Sequence, residues 1–148
     1  NVRKRTIDCC LKFKIDAFIR MNSDRPFLNY IQLKNMIDKF NTNKYDILTN
    51  CLSKNKIKGL SLEIIKFNVF KNIFKKIIKS DNEHIFNYFY RNKKDFKIYN
   101  VQQSKFKIKE GLSLDNNKDF ERIKTIYEKF NYDYLTKTSK ILRYLKKK

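Results

Sequence analysis

The chain has 148 residues, and its 35 lysines and arginines outnumber its 15 aspartates and glutamates, which gives a formal net charge of +20 at pH 7. Hydrophobic residues make up 41% of the chain, including 13 Phe and 9 Tyr, and this content excludes a fully disordered basic tail. No apolar run reaches the roughly 18 residues of a membrane-spanning helix, so we expect no membrane span.

The cysteines indicate reduced thiols rather than a metal site. Cys9, Cys10 and Cys51 show no CxxC spacing, and the single His84 lies far from any cysteine pair. Because a structural zinc site needs four ligands, we expect no bound metal. We also expect no cofactor. Buried, reduced thiols indicate a reducing intracellular compartment.

The positive charge is spread along the whole chain: +8 over residues 1–60, +7 over 61–110 and +5 over 111–148. Self-repulsion of this size destabilises a compact state unless an anionic partner neutralises it, and nucleic acid is the commonest such partner. An AT-rich genome would also favour Lys, but it does not explain the shortage of acids. The 28 Lys against 7 Arg favour contact with phosphate over the bidentate reading of bases.

The chain begins with two predicted helices. Thr6–Met21 has apolar residues on nearly every side, which predicts a central, mostly buried helix. In the break that follows, Asp24 and Pro26 fit the cap and the first turn of the next helix. This second helix covers Leu28–Phe40. Its apolar stripe consists of Leu33, Met36, Ile37 and Phe40.

Residues 31–58 resemble the helix-turn-helix core of a winged-helix fold. Asn41-Thr-Asn43 supplies the turn, and a short strand is predicted from Lys56 to Leu60. The apolar face of the second helix consists of Ile47, Leu48, Cys51 and Leu52. The resemblance implies phosphate contacts, but this helix has no Arg and carries Asp46 near its start. Its side chains therefore suit packing and phosphate contact better than the reading of a base sequence.

Leu62–Lys79 is predicted to be a long amphipathic helix, with Val69, Phe70 and Ile73 on one face. Lysines occupy the opposite face, and Glu63 is the one acid between residues 61 and 80. Since few salt bridges offset this repulsion, we expect the lysine row to follow a phosphate backbone. Ser80 and Glu83 match a capping box that starts another helix.

Alternation of apolar residues with Lys over 96–109 predicts a basic β-hairpin, in which Tyr99 could stack on an exposed base. Two further helices are predicted, over Asp115–Phe130 and Asp133–Lys148, and the second has a basic outer face.

These elements predict one mainly α domain over residues 1–148: a helical bundle of about six or seven helices, with a small β-hairpin near 96–109 and a helix-turn-helix or winged-helix-like core at 31–58. Residues 1–5 and 146–148 are expected to form extended basic tails. The predicted nucleic-acid contacts are Lys44, Lys54, Lys58, Lys71, Lys75, Lys76, Lys79, Lys97, Tyr99, Lys105, Lys107, Lys137, Lys140, Arg143 and Lys147.

The sequence also predicts that the chain is not an enzyme. It contains no GxxxxGK[ST], GxGxxG, GxSxG or HExxH motif, and its acids are scattered. Asp115, Asp119, Glu121 and Glu128 suit ion pairs along a helix and the first turn of that helix.

We therefore expect a structural RNA-binding protein of a ribonucleoprotein particle, with an organellar ribosome in the mitochondrial or another organellar matrix as the favoured setting. Its partners would be RNA and neighbouring subunits. A DNA-binding winged-helix regulator or replication factor and a helical protein–protein module remain open alternatives. Cytoplasm and nucleus remain open as compartments.

Overall fold

The computed structural model describes residues 2–74, 76, 85–103, 108–133 and 135–146. Within them a four-stranded sheet carries helices on both faces, which makes the fold α/β. The predicted mainly α helical bundle is therefore wrong. In chain order the elements are α1 (Val2–Lys12), β1 (Ala17–Arg20), α2 (Tyr30–Phe40), β2 (Ile47–Thr49), β3 (Glu63–Lys66), α3 (Phe67–Asn72), α4 (Asn87–Arg91), β4 (Ile98–Asn100), α5 (Asn117–Lys129) and α6 (Thr138–Lys146).

The strand order in the sheet is β1-β3-β2-β4. β3 runs antiparallel to both β1 and β2, whereas β2 and β4 are parallel. Strands β1, β2 and β4 therefore point the same way, and their carboxyl ends meet at one edge of the sheet together with the start of β3.

Three apolar clusters hold the helices in place. On one face of the sheet, Ile47 and Ile65 pack with Phe70 of α3 and Phe89 of α4, and α1 lies against the same cluster. On the other face, α2 packs over the sheet through Met36 and Phe40 with Leu48, Leu62 and Ile64. A third cluster lies beside the sheet and joins α5 and α6 to Phe27, Leu60 and Leu112.

The predicted helix Thr6–Met21 is in fact a helix followed by a strand. Lys14 ends α1 with a left-handed backbone (φ 51°), and the Ile15 N–H donates to the Cys10 carbonyl at 2.9 Å. This pattern is a Schellman C-cap, in which glycine usually holds the left-handed position. Because a lysine takes that place, the break could not be predicted from the sequence. Residues 2–5 lie in α1.

The predicted helix-turn-helix is also wrong, because Ile47–Thr49 is a buried strand and not a helix. The predicted helix Leu62–Lys79 divides into β3 and the short α3, and Lys56–Leu60 is not a strand. The hairpin predicted near 96–109 is wrong where the structure describes it, since β4 pairs in parallel with β2.

Two predicted helices are confirmed. α2 begins after Asn29, whose side chain accepts from the Gln32 N–H, and its predicted apolar stripe packs on the sheet rather than on other helices. α5 begins after Asn116, which caps the Asp119 N–H in the same way. The capping box predicted at Ser80 and Glu83 lies outside the described residues. Across the described ranges, no helix combines the length and apolar character that crossing a membrane requires.

Candidate functional site

A row of polar residues crosses the sheet at its carboxyl edge. The strand registers place Arg20 opposite Glu63, Glu63 opposite Thr49, and Thr49 opposite Asn100. Residues that pair directly across strands share one face of a sheet. This row therefore lies on the face of the sheet that carries α1, α3 and α4, next to the apolar cluster on that face.

Glu63 is the centre of this row. Its side chain is 4% exposed, and its Oε2 atom accepts from Arg20 Nη1 at 3.0 Å. Its other oxygen accepts a short hydrogen bond from the Tyr90 hydroxyl of α4. Since Tyr90 has one proton and gives it to Glu63, the Thr49 hydroxyl donates to the Tyr90 oxygen at 2.9 Å. We call Arg20, Thr49, Glu63 and Tyr90 the buried network.

Burial and the Glu63 charge keep the neighbouring weak acids neutral. Burial raises the pKa of the Tyr90 hydroxyl far above its ordinary value, and the Glu63 carboxylate raises it further. The same two causes, in the same order, raise the pKa of the Cys51 thiol. Tyr90 and Cys51 therefore keep their protons at neutral pH, and Tyr90 donates its own to Glu63.

A second polar group lies beside this edge, where two loops cross. Gly59 has φ 94°, and a Cβ there would lie 2.3 Å from the Leu112 carbonyl carbon. A Cβ on Gly111 would likewise lie 2.8 Å from the Lys58 Cβ. The Leu112 N–H donates to the Lys58 carbonyl at 2.6 Å, so the two backbones are in direct contact. Glycine at both positions is what permits this approach.

The same crossing joins the loop after β1 to the segment before α5. The Leu114 N–H donates to the Asp24 carbonyl at 2.8 Å. Asp115, the next residue, binds Lys58 Nζ at 2.7 Å through Oδ2, and the Ser113 hydroxyl donates to that oxygen at 2.7 Å. These two donors hold the pKa of Asp115 below its usual range, and Lys58 has the larger effect. The Asp115 carboxylate in turn raises the pKa of Lys58.

Asp119 and Arg122 extend this group along α5. Arg122 Nη2 donates to Asp119 Oδ1 at 2.6 Å, and the Asp115 N–H donates to Asp119 Oδ2 at 3.0 Å. Both bonds lower the pKa of Asp119, and the bond from Arg122 has the larger effect. We call Asp24, Lys58, Asp115, Asp119 and Arg122 the loop rim. In a chain of 15 acids, three of them gather here.

The loop rim combines the partly exposed carboxylates of Asp24 and Asp115 with cationic donors held by ion pairs. Carboxylates and cationic donors together can bind a phosphate ester and a hard cation. No group of three or more His, Cys, Asp or Glu side chains suited to hold a metal occurs in the described part of the chain. The rim would therefore supply only some of the ligands of a cation.

The nucleic-acid contacts predicted from the sequence do not gather at one place. Of those that the structure describes, Lys58 alone belongs to the loop rim. Lys44 and Lys97 lie near the opposite edge of the sheet, before β2 and β4. Lys54 lies after β2. Lys71 lies in α3 and Lys76 lies after it, and all three lysines are exposed. Lys137, just before α6, and Lys140 and Arg143, within it, are also exposed.

Tyr99 is half-buried and packs against other side chains of the protein. Its ring lies 5.0 Å from the ring of Tyr45, and the Lys39 ammonium lies 4.0 Å from its centre. Lys75, Lys79, Lys105, Lys107 and Lys147 lie outside the described residues. Nucleic-acid binding by this set of residues stays a prediction.

No functional role was predicted for the aspartates of the loop rim. Asp24 was predicted to cap a helix, although Asn29 caps α2. Asp115 and Asp119 were predicted to form ion pairs along a helix and to lie in its first turn, and Asp119 does lie in the first turn of α5. One sequence feature could have indicated a role for Asp24. Acids are scarce in this chain, and Asp24 closely follows the apolar run Ala17–Ile19.

Comparison with known proteins gives one strong structural likeness. A cytidylyltransferase from Leptospira borgpetersenii serovar Hardjo-bovis superimposes with a TM-score of 0.87, at 23% sequence identity, over 98% of this chain and 62% of that one. An uncharacterised protein from Methanocaldococcus jannaschii is 28% identical over 109 residues, which are 72% of this chain and 44% of that protein. This chain thus spans less than two thirds of each relative. No protein-family model matches it.

The structural likeness corrects the functional predictions. The chain has the fold of a cytidylyltransferase, and this contradicts both the predicted structural RNA-binding protein and the prediction that the chain is not an enzyme. Neither relative supports a ribosomal or mitochondrial setting. The predicted compartment stays a prediction.

Proposed function

We propose that this chain forms part of a nucleotidyltransferase that transfers a cytidylyl group. The observation that carries the proposal is the likeness to the Leptospira cytidylyltransferase over 98% of the chain. The position of the site supports it, because open α/β sheets bind ligands beyond the carboxyl ends of their parallel strands. The buried network lies at those ends, and the loop rim lies beside them.

In such a reaction an oxygen of the acceptor attacks the α-phosphorus of CTP. A new phosphorus–oxygen bond forms, the bond to the β-phosphate breaks, and pyrophosphate leaves with the bonding electrons. Negative charge spreads over the phosphate oxygens, so catalysis rests on positioning and on cationic stabilisation. Lys58 and Arg122 are cationic side chains that this fold fixes at the rim.

The rim also fits a magnesium ion. Magnesium prefers oxygen ligands and is usually held by one or two carboxylates together with substrate phosphates and water. Asp24 and Asp115 offer two carboxylates from segments that the Leu114–Asp24 backbone bond holds together. The low pKa of Asp115 keeps its carboxylate ionised, as a ligand must be. A bound magnesium ion would neutralise charge on the phosphates.

Nucleotide binding by the ¹⁵N-labelled chain tests the proposal by NMR. We expect CTP with Mg²⁺ to shift the backbone amides of Lys58, Leu114 and Asp115, and ATP or UTP to shift them less. Asp115→Asn should weaken the binding by roughly tenfold or more. Asp38→Asn is the matched control, because Asp38 is also an exposed aspartate paired with a lysine, at 3.4 Å from Lys34 on α2.

The same preparation can be assayed for pyrophosphate release from CTP with hydroxyl-bearing acceptors. If no nucleoside triphosphate shifts the rim amides at millimolar concentration, with or without Mg²⁺, the proposed function is wrong.

A further inference from the structure

Three amide side chains bond to each other and to the loop that carries Lys58. This loop comprises residues 50–62 between β2 and β3, and we call it the Lys58 loop. Asn50 is fully buried, Gln103 is 5% exposed, and Gln32 of α2 is half-buried. Burying an amide costs free energy unless it is hydrogen-bonded, so the partners of each amide show what it holds in place.

Asn50 ties the two ends of the Lys58 loop together. Its Oδ1 atom accepts from the Leu62 N–H at 2.8 Å, and its Nδ2 atom donates to the Leu60 carbonyl at 2.8 Å. The Nδ2 atom also donates to Gln32 Oε1 at 2.9 Å. Because a backbone N–H only donates and a carbonyl only accepts, these bonds allow one orientation of the amide. A buried group with its donors and acceptor satisfied in this way makes the loop ends rigid.

Gln103 holds the middle of the same loop. Its Oε1 atom accepts a short hydrogen bond from the Ile57 N–H. Ile57 is 5% exposed, so solvent does not offer its N–H a second acceptor. On the other side of Lys58, the Lys58 carbonyl accepts from the Leu112 N–H at 2.6 Å. The backbone around Lys58 is therefore fixed from both sides, by two segments that lie far from it in the sequence.

This fixed backbone decides where the Lys58 ammonium can act. The Lys58 side chain is 69% exposed, and its Nζ atom lies 2.7 Å from Asp115 Oδ2. A lysine has a flexible stem, and an exposed ion pair holds such a side chain only weakly. The ion pair alone therefore does not fix the position of Lys58. A loop that is already rigid reduces the entropy lost when the ammonium binds a ligand.

The three amides differ from the buried network in what they join. Thr49 belongs to the network, whereas the next residue, Asn50, bonds to Gln32 of α2. Successive residues of a strand point to opposite faces, so the amides lie on the face that carries α2. The network joins strands to α4, while Asn50 and Gln103 join a loop to α2 and to the segment after β4. Loss of an amide should therefore release the loop and leave the sheet intact.

We propose that Asn50 and Gln103 are positioning residues of the nucleotide site, which hold the Lys58 loop so that the Lys58 ammonium meets the phosphates of a bound nucleoside triphosphate. Both residues act through Lys58 and do not contact the ligand themselves. This role rests on the proposed function, because the phosphates are those of its substrate. Groups that support a ligand-binding side chain in this way are needed to keep it in its productive position.

Gln103→Met tests the bond in the middle of the loop. Methionine keeps the length and apolar burial of the side chain, but its sulfur is a weak acceptor for the Ile57 N–H. We expect the Ile57 amide to exchange its hydrogen at least about tenfold faster. The dissociation constant of CTP with Mg²⁺ should rise about tenfold, because a misplaced lysine loses its phosphate contact. Both are measured by NMR on the ¹⁵N-labelled chain, the second from the shifts of the Leu114 and Asp115 amides.

Asn92→Ala is the matched control. Asn92 is also a half-buried amide that donates to a backbone carbonyl, that of Tyr88 at 2.8 Å, but it lies at the end of α4 and not in the Lys58 loop. This variant should lower the free energy of unfolding in urea denaturation and leave the affinity of the folded chain for CTP unchanged. If Asn92→Ala weakens CTP binding as much as Gln103→Met does, binding follows overall stability and the positioning role is wrong.

Gln32→Ala covers the case in which Gln103→Met fails to fold. It removes one of the two acceptors of Asn50 Nδ2 and should raise the dissociation constant of CTP about threefold. If the unmodified chain binds CTP and the folded variants bind it equally tightly, the positioning role is wrong and the proposed function stands. If the unmodified chain binds no nucleoside triphosphate, the proposed function is wrong and the positioning role is wrong with it.

Discussion

The buried network and the loop rim are both built from charged pairs, but they differ in their contact with water. In the network, Glu63 is 4% exposed and its partner Arg20 is 18% exposed. In the rim, Asp115 is 41% exposed and its partner Lys58 is 69% exposed. Breaking a buried pair leaves a charge without solvent, whereas solvent compensates a broken surface pair.

This difference separates stability from ligand binding. The network ties β1, β2, β3 and α4 together and has little surface to offer a ligand. In the rim, the Lys58–Asp115 pair is open to solvent and contributes little to stability, whereas Asp119 and Arg122 are only 14% and 18% exposed. We therefore expect changes in the network to affect unfolding first, and changes in the rim to affect binding first.

Glu63→Gln should have the largest effect on stability. The amide keeps the size of the carboxylate but removes the negative charge that pairs with Arg20 in a poorly hydrated place. We expect a loss of about 3 kcal/mol in the free energy of unfolding, measured by urea denaturation. A loss as small as that of Asp115→Asn would show that the two regions do not differ as described.

Gly59→Ala should come next, and it tests the backbone crossing beneath the rim. The added Cβ would meet the Leu112 backbone, and alanine disfavours φ 94°. We expect a loss of about 2 kcal/mol or more in urea denaturation. Ser61→Ala, two residues away in the same segment, serves as the control, and equal losses would remove the special role of the crossing.

Tyr90→Phe should have a smaller effect on stability. It removes the proton donated to Glu63 and the oxygen that accepts from Thr49, while the ring stays in its cluster. The expected loss in the free energy of unfolding is about 1–3 kcal/mol. Tyr88→Phe is the matched control on α4, and its loss should be smaller.

The pH dependence of stability should show a smaller effect, whose direction can be stated for each rim residue. The pKa values of Asp115 and Asp119 are lowered in the folded state, so their contribution is present above the ordinary aspartate pKa of about 4 and is lost as the pH falls through the folded values. Lys58 has a raised pKa, so its contribution is present below about 10.4 and is lost as the pH rises through the raised value. Asp115→Asn should reduce both the loss of stability at low pH and the loss at high pH, as measured by thermal melts across pH. If both losses stay unchanged in this variant, the assignment is contradicted.

Cysteine labelling gives the mildest test. Cys9 is exposed, whereas the thiol of Cys51 is partly buried and has a raised pKa. At pH 8 an aromatic disulfide reagent should react with Cys9 faster than with Cys51, because the thiolate is the reactive form. The variants Cys9→Ser and Cys51→Ser identify the phases of these two thiols among the three in the chain, and a faster Cys51 would mean that the network is open to solvent.

The sequence predicted the helices with one exposed face but missed the strands. α2 carries a single apolar stripe and begins after a capping asparagine, so helical spacing identified it. β2 is buried throughout, and a strand covered on both faces shows no alternation. A short apolar run of this kind cannot be told from part of a buried helix by its period.

The boundary between β3 and α3 was hidden for a related reason. Lys66 ends the strand and Phe67 starts the helix without an intervening loop, glycine or proline. The apolar residues of both elements therefore merged into one predicted helix. At the end of α1, a lysine in a left-handed conformation concealed the break in the same way.

Most of the candidate site could not be predicted, because it is formed by tertiary contacts. Asp24, Lys58 and Asp115 lie in three separate loops and meet only through the loop crossing. Arg20 and Glu63 meet only through the strand register. The sequence did identify Lys58, as a phosphate contact, and the structure places it at the rim.

The loop crossing restricts which sequences can encode this site. The chain contains two glycines in all, and both of them, Gly59 and Gly111, lie at this crossing. Both glycines of the chain thus lie where two backbones touch. In a saturation mutagenesis library selected for folding, positions 59 and 111 should therefore accept the fewest substitutions, while the lysines of the surrounding surface should vary freely.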